Sequence, residues 1–194
     1  MKFSIAALSI AIWVLPCGTA AQVPHTFEAF GSIGGANLNH NNKFDFGGGF
    51  VVRPFSKNLT PLRGLGFEFE ANRISGESPQ LLAKGIIGTL YPARKTATGA
   101  VLYGYPLKRT EPYLLIGMGG STLGCYGLNL GCDPGVRVGV GGLGLRAFLN
   151  ERLSLRPEFR ILEAMGSRGY FFGPGGAAAN YLYRTSIGIG DQWH

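Results

Sequence analysis

Apolar and polar residues alternate along much of this chain with a period of two, the signature of strands whose faces meet different surroundings. The clearest run is 153–161: Leu153, Leu155, Pro157, Phe159 and Ile161 share one face, and Ser154, Arg156, Glu158 and Arg160 share the other. Near the end of the chain, Tyr181, Tyr183, Thr185, Ile187 and Ile189 oppose Leu182, Arg184, Ser186, Gly188 and Gly190. Phe44, Phe46, Phe50 and Val52 oppose Asp45, Gly47, Gly49 and Arg53, while Leu65, Phe67 and Phe69 oppose Gly66, Glu68 and Glu70. The pattern predicts eight strands, near 27–35, 44–54, 65–73, 98–106, 112–119, 136–148, 152–162 and 180–190. Parity slips at Gly141-Gly142, where Val136, Val138 and Val140 give way to Leu143 and Leu145, which predicts a bulge or an early strand end. The apolar stretch 81–90 reads as a short helix or an extra strand, and two added strands would make ten.

The alternation does not say which face is inside. A soluble sandwich packs its apolar face in a core, whereas a membrane barrel turns that face to lipid. Two features favour the barrel. The charge-bearing faces are rich in glycine, as a narrow interior requires. The apolar faces carry Tyr103, Tyr105, Tyr181 and Tyr183 near strand ends, as interfacial girdles do. Connections add a third. Short ones at 55–64, 107–111 and 149–151 alternate with mostly longer ones, rich in Gly, Asn and Ser, at 36–43, 74–97, 120–135 and 163–180. Short periplasmic turns and longer external loops are the rhythm of an up-and-down outer-membrane barrel.

Composition agrees. The chain has 32 glycines in 194 residues, 45% hydrophobic and only 15% charged residues, a composition too apolar for disorder. Residues 1–21 read as a cleaved secretory signal peptide: basic Met1-Lys2, a short apolar run, then small residues up to Ala21. That leaves 22–194 as one barrel domain, with Cys125 and Cys132 as its cysteines. In an oxidising compartment two cysteines so close read as a disulfide; free thiols are the alternative. Losing Lys2 with the leader takes the formal charge from +7 to +6, spread along strands and turns rather than in a stripe, which argues against nucleic acid.

On these residues the chain resembles the small outer-membrane β-barrel superfamily, similar to OmpA-type and OmpX-type barrels. The segments that carry the likeness are Glu111-Pro-Tyr-Leu-Leu-Ile-Gly-Met-Gly, Asn150-Glu-Arg-Leu-Ser-Leu-Arg-Pro-Glu-Phe-Arg and the last strand from Asn180. The resemblance implies an all-β, eight-stranded antiparallel transmembrane barrel in the bacterial outer membrane. It implies a monomer among outer-membrane lipid and lipopolysaccharide, delivered by the barrel assembly machinery, whose aromatic C-terminal signal is displaced here by His194 after Trp193.

Chemistry is sparse. Acids at Glu28, Asp45, Glu68, Glu70 and Glu158 and bases at Arg53, Arg137, Arg156, Arg160 and Arg184 are expected to face inward. An eight-stranded lumen is just filled by side chains, so these should interlock as ion pairs rather than line a pore. The expected role is structural or surface interaction; the alternatives are a narrow solute channel and a lipid-modifying enzyme. Lipid A deacylases place a histidine beside a serine on a lipid-facing C-terminal strand, and His25, His40 and His194 do not fit that pattern. No catalytic residue, metal ligand or cofactor is expected. Tyr170, Phe171 and Phe172 in the last long connection are a candidate loop contact.

Overall fold

The computed structural model describes residues 26–38, 41–55, 61–76, 80–81, 87–88, 93–123, 135–165, 171–172, 178–179 and 181–193. Eight long strands run through them: β1 (Phe27–Leu38), β2 (Asn41–Val52), β3 (Leu65–Ile74), β4 (Arg94–Gly104), β5 (Thr110–Leu123), β6 (Val136–Phe148), β7 (Leu153–Met165) and β8 (Tyr181–Trp193). Each pairs antiparallel with its chain neighbours, and β1 pairs with β8, so the sheet closes. Closure leaves no free edge, which a sheet in hydrocarbon could not tolerate.

The register fixes the dimensions. From Phe27 the pairing passes through Val52, Phe67, Val101, Ile116, Gly141, Ile161 and Tyr183 and returns to β1 at Asn37, ten residues further along. Eight strands with a shear of ten give a tilt of about 40° and a backbone radius of about 8 Å. That interior takes side chains and little else.

The faces divide as the barrel reading requires. Ile116 and Leu114 at mid-strand are 72% and 66% exposed, whereas Arg146 is 0% exposed. An outside of Phe, Ile, Leu and Met around an inside of arginine and glutamate is the inverse of a soluble protein. Phe27 packs at a tilt against Trp193 at 5.5 Å across the β1–β8 closure, and Phe27, Phe50 and Phe69 continue the row at 6.0 and 5.1 Å.

Four expectations are corrected. No bulge interrupts β6: its pairing with β5 runs from Thr110↔Ala147 to Ser121↔Val136 without a skipped residue. Val138 and Val140 point inward instead, and join Ile74, Leu162, Leu182 and Ala36 as an apolar sector of the lumen. Apolarity therefore did not identify the lipid face there. Second, β1 and β2 pair out to Leu38↔Asn41, so their connection is as tight as a periplasmic turn. Asn37, Asn41 and Asn42, from the stretch that suggests a loop, take part in the ladder, and Asn37 Nδ2 donates to Asn42 Oδ1 at 2.6 Å. Third, the described residues of the 81–90 region add nothing to the barrel: Gln80–Leu81 pairs with Ile87–Gly88 as a separate two-residue ladder. Eight strands, not ten, form the wall. Fourth, Arg137 is not luminal; it faces outward and is exposed. The predicted leader and both cysteines lie outside the described residues.

Candidate functional site

Most charges in the barrel interior form one connected set. At the end of the barrel where β1 begins and β8 ends, Arg53 on the β2–β3 turn grips Glu111 with both terminal guanidinium nitrogens, at 2.5 and 3.0 Å. Arg146 then joins Glu111 at 2.5 Å to Glu28 at 2.8 Å. Arg156 lies 3.8 Å from Glu28, 2.6 Å from Glu68 and 3.4 Å from Glu158. Arg160 holds Glu68 at 2.5 Å, Glu70 at 2.8 Å and also Glu158. Arg184 links Glu70 at 3.0 Å to Asp45 at 2.7 Å, and Asn72 Nδ2 donates to Asp45 Oδ1 at 2.7 Å. Five arginines and six carboxylates thus form an unbroken chain along the lumen.

Small and aromatic residues shape it. A Cβ on Gly144 would collide with the Tyr113 ring, and one on Gly104 with the Glu111 carboxylate. Those glycines make room for large neighbours on β5. The Tyr113 hydroxyl donates to Glu158 at 2.6 Å and accepts from Arg156 at 3.2 Å. The Arg156 guanidinium lies 3.9 Å from the Phe30 ring centre, and that of Arg146 lies 4.7 Å from the Tyr113 ring. Arginine suits this packing, because a planar, weakly hydrated cation can stack on a ring and still fork to carboxylates. Toward the opposite end Arg94 Nη1 donates to Ser121 Oγ at 3.1 Å, and the apolar sector follows.

The structure brings Glu68, Glu70, Arg156, Glu158, Arg160 and Arg184 together, along with Glu28, Asp45 and Arg53. Sequence reading missed Glu111, Tyr113 and Arg146 as members. Arg146 was within reach, since Leu143 and Leu145 facing out put Arg146 inward on the same strand. The 107–111 connection reads Glu111 as a turn residue, whereas it is the second residue of β5. Among the described residues no group of three or more His, Cys, Asp or Glu is placed to hold a metal. Tyr170 lies outside the described residues; Phe171 and Phe172 pair with Ala179 and Ala178 in a two-residue ladder.

No protein-family model matches the chain, and no curated protein matches its sequence. Solved structures do. Neisserial surface protein A aligns over 86% of this chain and 96% of its own, with 12% identity and a TM-score of 0.56. The N-terminal barrel domain of Pseudomonas aeruginosa OprF aligns over 86% and 97%, with 10% identity and a TM-score of 0.54. The chain has the fold of the small outer-membrane barrels. Ail, the attachment invasion locus protein of Yersinia pestis, aligns over 86% and 96%, with 10% identity and a TM-score of 0.52. At such identities the chain shares its architecture with these proteins and nothing finer. The apolar outer wall and the charged lumen are the features of that architecture in this chain.

Proposed function

We propose that the protein is a monomeric outer-membrane barrel with a lumen closed to solutes, whose role, structural or of surface interaction, is exercised at its external end. One observation carries this: the arginine–carboxylate chain from Arg53 to Asp45 occupies the lumen without a break. Opening a path would separate buried charges from their partners, which costs several kcal/mol for each pair broken. Such a network holds the wall together and blocks transit. Two neighbours are named for a surface location and for attachment, which makes the loops outside the membrane the place to look for partners. Lipid and lipopolysaccharide surround the wall, the assembly machinery inserts it, and no cofactor or catalytic step is assigned.

Planar-bilayer recording of the refolded chain tests this reading. The expected result is a silent membrane at protein levels where an open porin conducts. A sustained, well-defined single-channel current would replace the plug with a channel.

A further inference from the structure

The outer wall of β2–β5, near the external rim, carries a groove of about 500 Å³ lined by Phe46, Ala71, Arg73, Lys95, Ala97 and Gly120. Its shape follows from register. Gly48, Ala71, Ala97 and Gly120 are paired across the four strands as one row of outward positions. The row below is Phe50, Phe69, Gly99 and Met118, and the row above is Phe46, Arg73, Lys95 and Thr122. Small residues between larger ones leave a trough, which spans three interstrand spacings, about 14 Å. With the strands tilted, it descends obliquely from the rim into the hydrocarbon.

The upper edge points to the occupant. Arg73 and Lys95 are directly opposite each other, both outward and exposed. Like charges in facing positions of a sheet repel, and a carboxylate between them would relieve it. Among the described residues neither cation has an ion-pair partner. They stand one residue before the end of β3 and one after the start of β4, where the apolar belt gives way to headgroups. Cations at that level escape the penalty they would meet at the bilayer centre. Two adjacent cations above an apolar trough match a ligand with an anion joined to a hydrocarbon chain. Arginine beside lysine favours phosphate, with several oxygens to share.

We propose that this groove binds a phosphorylated, acylated lipid of the external leaflet, its phosphate held by Arg73 and Lys95 and an acyl chain lying along Ala71, Ala97 and Gly120. The site rests on the bilayer-spanning reading above. It makes one lipid molecule a specific ligand, where that reading needs only a bulk solvent.

The test is native mass spectrometry of the full refolded chain released from detergent micelles. The probes are bisphosphorylated lipid A, its fully dephosphorylated form, phosphatidylglycerol and inorganic phosphate. One lipid A per barrel is expected to survive release, with the dephosphorylated form and phosphatidylglycerol retained much less. Arg73→Gln and Lys95→Gln should each weaken retention about tenfold, as loss of a charge-assisted hydrogen bond does. Ala97→Phe, which fills the trough and leaves both charges, should weaken it as well. Equal retention of the dephosphorylated lipid or of phosphatidylglycerol overturns the proposal. So does displacement of lipid A by millimolar phosphate, or unchanged retention in the Arg73→Gln/Lys95→Gln double variant. Heat-modifiable gel mobility of every variant separates the two readings. A chain without the shift fails as a barrel, and a chain that shifts but holds no lipid A fails only as this site.

Discussion

Replacing Arg160 with methionine probes the luminal network at its most connected point. Arg160 contacts Glu68, Glu70 and Glu158, and methionine fills much the same volume without the charge. Glu68 keeps Arg156 at 2.6 Å and Glu70 keeps Arg184 at 3.0 Å. Glu158 keeps only Arg156 at 3.4 Å and the Tyr113 hydroxyl at 2.6 Å. Six carboxylates then face four arginines in a space about 8 Å in radius. Removing one partner from a buried ion pair costs about 3–5 kcal/mol, because the charge left behind has lost its compensation. Arg160→Met should therefore lower the folding constant by roughly two to three and a half decades. Equilibrium urea titration into lipid vesicles would measure it, followed by Trp193, which reports closure because it packs on Phe27 across the β1–β8 seam. Adding Glu158→Gln removes the most exposed deficit, since the amide oxygen can still accept from Tyr113. The double variant should regain about 1 kcal/mol or more, a coupling that contacting residues show and distant ones do not. Buried pairs are little screened, so added salt should leave the difference intact. Arg160→Met within about 0.5 kcal/mol of the parent, or strict additivity in the double variant, would refute an interlocked lumen.

Three further outcomes follow from the same geometry. Ile116→Arg, at the most exposed mid-strand position, should cost about 2–4 kcal/mol in bilayers, and near-neutral behaviour in vesicle titrations would deny that this face meets lipid. Gly144→Val sets a side chain where the Tyr113 ring lies and should cost about 1–3 kcal/mol through overpacking; thermal unfolding in detergent micelles reads it, and no loss would mean that Tyr113 packs elsewhere. The parent should also run faster unboiled than boiled on gels, as a closed sheet with a buried charge network resists detergent, and a single unshifted band would argue against closure.

Alternation by itself determined a great deal here. A period of two separates the two faces of a strand whatever the tertiary fold, so Phe67 and Phe69 read as outward, and Glu68 and Glu70 as inward, from their order alone. Eight such runs with no apolar helix made a closed barrel the economical answer. The same logic failed where both faces are apolar. Val138 and Val140 face a lumen that has its own hydrophobic sector, so apolarity could not tell inside from outside on β6, and Arg137 was turned inward in error. Polarity also misled at the β1–β2 connection, because a ladder satisfies the backbone of asparagine as well as that of valine.

Partnership lay beyond the sequence altogether. That Glu28 meets Arg146, or Asp45 meets Arg184, depends on strands far apart in the chain being brought across a narrow lumen. That in turn depends on the strand number and the shear of ten, which emerge only when β1 closes on β8. The same register lines up Arg73 with Lys95 and stacks small residues into a groove. Face is a local property, set by parity along one strand. Neighbourhood is a global one, set by how the sheet closes.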